Sequence, residues 1–277
     1  MPVLRSVFFL SDRTGITAET LGHSLLTQFD GIEWRKHYAA FLDNSAKIQD
    51  VVDRINTAAE QEGQPPLVFS TLLDPAVLVS IRQANCYLLD FFESCLGVLE
   101  TALQQPPARV PGRTHILGQD ASYFRRIAAI QYALNSDDGN NSKVLADADV
   151  ILVGVSRSGK TPTCVYLALQ YGVLAANYPF TPEDMEDRVR LPTLLQPLRE
   201  KLFGLTLSAS RLQMIRAERY PGSHYASFVE CQRELQWQNE LFQQFAIPAI
   251  DTTGISIEEI SASIIDRMQL KRRLYGT

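Results

Sequence analysis

The chain has 277 residues, 45% of them hydrophobic, which is enough for a substantial core and points to two α/β domains in preference to one large one. Its formal charge of −5, with no long block of one sign, argues against DNA or RNA as a partner and leaves room for a local basic pocket. Cys86, Cys95, Cys164 and Cys231 form no C-x-x-C pair and have no His at metal-ligand spacing, which speaks against a structural zinc site and for reduced thiols in the cytoplasm.

The opening MPVLRSVFFLS has one Arg ahead of a short apolar run that breaks at Ser11-Asp12, with neither a cleavage site nor a membrane-length span, so neither export nor membrane insertion is expected. VLRSVFFLS reads as a buried strand, ITAETLGHSLLTQF as a helix and EWRKHYAAFL as a strand. SAKIQDVVDRINTAAEQ reads as an amphipathic helix with Ile48, Val51, Val52 and Ile55 on one face. PLVFSTLL follows as a strand, then a helix capped by Asp74 with Pro75 in its first turn, the strand CYLLDFF, and a helix from Glu93 to Gln104. Strands separated by helices of this length call for a parallel sheet covered on both faces, which defines an N-terminal α/β domain over residues 1–105.

Prolines and glycines cluster in the polar stretch QQPPARVPGRTHILGQD, and the linker is placed there, over residues 106–120. A second α/β domain, 121–277, begins with a helix near ASYFRRIAAIQYALN and the turn-like SDDGNNS. It continues with the strand DVILVGV and the helix TPTCVYLALQY, which Gly172 closes. VLAANYPF, LFGLTLS and IPAIDTT read as further strands, with helices near SRLQMIRAERY and YASFVECQRELQWQNELFQQF between them. The last helix opens on a capping box, Ser256 and Glu259, and turns Ile257, Ile260, Ile264 and Met268 inward. No repeat period or low-complexity tract is visible.

Between the strand at Asp149–Val153 and the following helix, the chain fits G-x-x-x-x-G-K-[ST] at Gly154, Gly159, Lys160 and Thr161. A P-loop needs glycines that turn successive backbone N–H groups toward an anion, a Lys that reaches the distal phosphates, and a hydroxyl for Mg²⁺. All three are present, and the helix would face the phosphate with its positive end. Pro162 suits the first turn of that helix, where its missing N–H is no loss. A Cβ at Gly159 is expected to crowd the backbone where the anion approaches.

GVSRSGKTPT, the N-terminal SDRTGITAETLGHSLLTQF, YFRRIAAIQYAL with DDG, GLTL with RLQMIRAERY, and IDTTGISIEEIS together resemble the bacterial regulatory proteins of pyruvate phosphate dikinase and phosphoenolpyruvate synthase. The likeness spans nearly the whole chain and looks closest to the phosphoenolpyruvate synthase branch. It implies a bifunctional kinase and phosphorylase: ADP phosphorylates a threonine of the target enzyme and inactivates it, and orthophosphate removes that group as pyrophosphate. It also implies a nucleotide-binding segment at Gly154, Val155, Ser156, Arg157, Ser158, Gly159, Lys160 and Thr161, with Thr161 toward Mg²⁺. Many relatives have His before the paired aspartates; here Ser136 precedes Asp137 and Asp138, so no role for that His transfers.

Phosphoryl transfer also needs a carboxylate to orient the attacking hydroxyl, and Asp12 and Asp138 are the candidates. Asp137-Asp138-Gly139 is equally compatible with an ordinary turn. Ser11-Asp12-Arg13-Thr14-Gly15 has the stronger pattern, a polar loop between a buried strand and a helix, where open α/β sheets bind ligands. Arg211 is the catalytic candidate among the arginines of SRLQMIRAERY, with Arg216 and Arg219 as alternatives, set against a solvated helix face. His23, His37, His115 and His224 read as structural, Cys164 as a packing residue, and Lys271-Arg272-Arg273 as a solvent-facing tail. The expected partners are the synthase or dikinase, ADP, orthophosphate and pyrophosphate, with a homodimer among the assemblies open to the chain. A small-molecule P-loop kinase and a nucleotide-sensing module that regulates by docking alone are the alternatives.

Overall fold

The computed structural model describes residues 3–111, 121–136, 142–185 and 189–271. The chain divides into two compact units, Met1–Ile116 and Leu117–Thr277. Each unit is a four-stranded, wholly parallel sheet with helices on both faces, an α/β fold in both halves.

In the first unit, β1 (Val3–Leu10) is followed by α1 (Ile16–Leu26), β2 (Ile32–Ala39), α2 (Ser45–Glu62), β3 (Leu67–Ser70), α3 (Pro75–Arg82), β4 (Tyr87–Asp90) and α4 (Phe91–Leu103). The sheet order is β2-β1-β3-β4. VFFL of β1 is buried on both faces: Val7 and Phe9 pack with Ala18 and Leu26 of α1 and with Phe91 of α4, while Phe8 and Leu10 pack with Val51 and Ile55 of α2 and Leu78 and Ile81 of α3. The strand at CYLLDFF is shorter than expected, because the Asp90 carboxylate accepts the Glu93 N–H and caps α4, which makes Phe91 and Phe92 helical. PLVFSTLL likewise stops at Ser70, whose hydroxyl accepts the Leu72 N–H and turns the chain.

The second unit runs α5 (Ala121–Asn135), α6 (Ser142–Ala146), β5 (Val150–Gly154), α7 (Lys160–Tyr171), β6 (Ala175–Pro179), β7 (Leu202–Thr206), α8 (Ala209–Arg219), α9 (Phe228–Gln244), β8 (Ala249–Asp251) and α10 (Ile257–Arg267). Its order, β6-β5-β7-β8, repeats that of the first unit: the second strand adds on one side of the first, and the chain then crosses to the other. Val150 and Leu152 face α5, α7 and α10, whereas Ile151 and Val153 face α8 and α9. Gly172 closes α7 in the left-handed conformation, and the capping box of Ser256 and Glu259 opens α10. The inward face of α10 departs from expectation at one position: Ile257 is exposed, and Ile265 is buried beside Ile260 and Ile264. No described helix is long and apolar enough to cross a membrane.

Reversal of direction after the second strand opens a crevice at the carboxyl ends of β1 and β3, and of β5 and β7. The chain enters both crevices alike. Residues 11–15 link β1 to α1 and residues 155–159 link β5 to α7, and each link ends on a left-handed glycine at the helix N-cap, Gly15 at φ 80° and Gly159 at φ 91°.

Candidate functional site

The two glycines of the β5–α7 loop answer different demands. At Gly154 a Cβ would stand 2.6 Å from the Leu205 carbonyl oxygen on the neighbouring strand and 2.9 Å from Ser158 Oγ, so the position is closed by crowding. At Gly159 a Cβ would meet no atom within 4 Å beyond its chain neighbours. No protein atom crowds the position, and φ of +91° is what it requires of its residue. Gly159 also lines a cavity of about 460 Å³, with Ser156, Arg157, Lys160, Thr161 and Asn177 among its other lining residues.

Lys160, at the first position of α7, is 5% exposed, and its ammonium donates to the carbonyls of Gly154 at 3.0 Å and Val155 at 2.8 Å. Thr161 Oγ1 accepts from the buried Asn177 amide at 3.2 Å, and Thr163 Oγ1 ties back to the Gly159 carbonyl at 2.8 Å, which secures the first turn of the helix. The positive end of a helix, an ammonium and a turn of backbone N–H groups on one cavity form a surface suited to an anion. Two loop N–H groups do not contribute to it: that of Val155 donates at 2.8 Å to Oε1 of the fully buried Gln238 on α9, and that of Ser158 donates at 3.3 Å to the Val155 carbonyl.

Behind the loop lies a charged layer. Arg216 of α8 is fully buried and forms a two-pronged pair with Glu234 of α9 at 3.1 and 2.6 Å. Its guanidinium also donates to the Ser156 carbonyl at 3.1 Å and the Tyr225 carbonyl at 3.0 Å, and its Cζ lies 4.0 Å from the Tyr225 ring centroid. Tyr225 in turn donates to Ser156 Oγ at 2.9 Å. Burial alone would push the Arg216 guanidinium down; the hydrogen bonds and charge of Glu234 outweigh it and hold the group above its usual range.

In the first unit, Asp12 and Arg13 line a separate cavity of about 630 Å³ with Asp43, Asn44 and Asp74. Asp12 Oδ2 accepts the Leu73 N–H at 3.3 Å, and Ser11 Oγ accepts the Arg13 N–H at 3.1 Å. Burial raises the Asp12 carboxyl above its ordinary value, more than the Leu73 N–H and the Arg13 charge lower it.

The other expected residues scatter. Asp138, with Asp137, Gly139 and His115, lies outside the described residues, as do Arg272 and Arg273. Arg211 is exposed near the start of α8, its backbone N–H bound to Ser208 Oγ and its guanidinium outside the lining of the loop cavity. Arg219, Lys271, His23 and His224 are exposed. His37 stacks on Phe8 at 4.4 Å, and Cys164 is buried in the core. The pattern missed Gln238, Glu234, Tyr225 and Asn177. For two of them a signal existed: Glu234 and Gln238 lie on the α9 stripe that buries Cys231, Leu235 and Leu241, where a polar residue asks for a partner.

A family model described as kinase/pyrophosphorylase matches residues 7–265. A protein of Nitrosomonas eutropha is 86% identical over 99% of both chains, and one of Nitrosomonas europaea is 79% identical over 99% of both. One of Laribacter hongkongensis is 48% identical over 99% of this chain and 100% of its own. All three carry the provisional name phosphoenolpyruvate synthase regulatory protein.

Proposed function

The chain belongs to the kinase/pyrophosphorylase family, and on that premise we propose that it regulates phosphoenolpyruvate synthase by reversible phosphorylation of a threonine, with the β5–α7 loop as its P-loop. The names of its relatives support the target. The observation that carries the chemistry is the anion-suited turn itself, with Lys160 and the start of α7 on one cavity.

In the inactivating direction the loop holds ADP through its phosphates. The threonine oxygen bonds to the β-phosphorus, the bond to the α-phosphate oxygen breaks, AMP leaves, and the hydroxyl proton passes to a carboxylate. Asp12 and Asp138 are the sequence candidates for that carboxylate, and they belong to different units of the chain. In the reactivating direction an orthophosphate oxygen attacks the phosphothreonine phosphorus, pyrophosphate leaves, and the threonine oxygen recovers a proton. Lys160 offsets negative charge on the transferring group in both directions.

Thr161, whose hydroxyl oxygen accepts from the Asn177 amide, is the residue that would hold a Mg²⁺ bound with the nucleotide. No group of three or more His, Cys, Asp or Glu suited to a metal occurs among the described residues. Bound there, Mg²⁺ would neutralise phosphate charge.

The test is transfer from β-labelled ADP to purified phosphoenolpyruvate synthase. Label on a synthase threonine, reduced by roughly two to three orders of magnitude in folded Lys160→Ala, is the expected result. Label on a metabolite, binding without transfer, or full turnover by Lys160→Ala would each overturn the reading.

A further inference from the structure

We propose that Arg216, clamped by Glu234, is a positioning residue: it fixes the peptide between Ser156 and Arg157 so that the Arg157 N–H points into the loop cavity as a donor to a bound phosphate. The inference rests on the loop being the phosphate site. The C=O and N–H of a trans peptide point in opposite directions. Arg216 holds the Ser156 carbonyl from the buried side at 3.1 Å, so the N–H at the other end of that peptide faces away from the layer of Arg216 and Glu234. Ser156 and Arg157 both line the cavity on that side, and Arg157 N–H has no hydrogen-bond partner among the described residues.

This orientation is not one the local sequence favours. Arg157 has φ of +75°, a left-handed conformation that L side chains seldom adopt. Rotating the Ser156–Arg157 peptide would return it to ordinary negative φ and turn the N–H out of the cavity. Three contacts restrain that rotation: the Arg216 bond to the Ser156 carbonyl, the Tyr225 hydroxyl bond to Ser156 Oγ at 2.9 Å, and the two-pronged Glu234 pair that holds the guanidinium in place. Lysine cannot reproduce that fork, because a single ammonium does not span Glu234 and the carbonyl in one plane.

The experiment is a double-mutant cycle in the full-length chain, with MgADP and inorganic phosphate as separate probes in calorimetric titrations. Arg216→Lys should weaken both by roughly tenfold to a hundredfold, the loss of one N–H donor to a charged group. Glycine adopts positive and negative φ alike, so in an Arg157→Gly background the productive orientation stays populated and the same substitution should lose only severalfold. The Arg157 amide resonance should also shift on adding phosphate to the wild-type protein and stay in place in Arg216→Lys. If Arg216→Lys does not fold, Tyr225→Phe keeps the ring under the guanidinium and removes only the hydroxyl; its smaller loss should shrink likewise beside Gly at 157. Equal losses in both backgrounds would mean that Arg216 supports the fold alone and would overturn the inference. A weakening confined to one probe would overturn the common donor. Wild-type protein that binds neither MgADP nor phosphate would sink the site itself, a different failure.

Discussion

Asp12 is a carboxylate held at a price in stability, and the sign of that effect can be worked out. Its folded-state pKa lies above the unfolded value of 3.8, so the folded protein binds the proton more tightly. Its contribution therefore favours folding below the unfolded pKa and turns against folding as pH rises through the folded one. Asp12→Asn should raise the denaturant midpoint at pH 7, and the advantage should vanish at pH 3. The amide oxygen can still accept the Leu73 N–H, so the hydrogen bond does not confuse the comparison. If Asp12 orients the threonine, the same variant should lose about a hundredfold or more in transfer while keeping its ADP affinity. A more stable but inactive protein is the signature of a strained functional group. A midpoint at pH 7 equal to or below that of the wild type would remove the first half of the claim, and intact transfer the second.

The β5–α7 element shows what a sequence pattern can and cannot carry. Strand, loop and helix were legible because each part is local: apolar Val150–Val153, two glycines at fixed spacing, Pro162 in the first turn and Gly172 at the last. The layer that orients the loop was not, since Arg216 meets the Ser156 carbonyl across 60 residues and Gln238 meets the Val155 N–H across 83, and no short-range period encodes either. The strand at Asp90 failed for a local reason instead, a cap spanning three residues that outweighed the β propensity of Phe91 and Phe92. On α10 only Ile257 departs from the expected inward face, because the choice between Ile257 and Ile265 depends on what packs above them. The two glycines of the loop give a test at this scale. Gly154→Ala forces a methyl against a backbone carbonyl and should cost about 1–3 kcal/mol. Gly159→Ala should cost about 1–2 kcal/mol through its φ alone, and Gly159→Asn should cost less, because asparagine tolerates the left-handed region. Thermal unfolding of the three variants checks the order. An Asn variant that melts as early as the Ala variant would show that φ is not what Gly159 supplies.

Across the whole molecule, two units repeat one strand order, yet only one of the matching loops carries a lysine at the helix start. Residues 155–161 read VSRSGKT and residues 11–17 read SDRTGIT, so Ile16 stands where the second unit has Lys160. Both loops present a left-handed glycine and a helix N-terminus, but the first shares its cavity with Asp12, Asp43 and Asp74. Lys47 pairs with Asp43 and Arg13 offsets one more, so the balance there still opposes an anion. On that electrostatic ground the acceptor orthophosphate of the proposed reactivating reaction should occupy the same loop as the terminal phosphate of the proposed donor, ADP. An anion cradle reads charge and oxygen geometry, which the two ligands share. ADP should then inhibit the phosphate-dependent reaction competitively, raising its KM for phosphate without changing kcat. Gly159→Ala, folded by an independent check, should damage both directions together, because a methyl disfavours the left-handed turn with which this cavity-lining residue shapes the one anion cradle. Initial rates at several fixed ADP concentrations, measured alongside both activities of Gly159→Ala, decide the matter. Noncompetitive inhibition, with phosphorylase activity surviving in Gly159→Ala while kinase activity is lost, would move the orthophosphate to Ser11–Gly15 and give the first unit a substrate of its own.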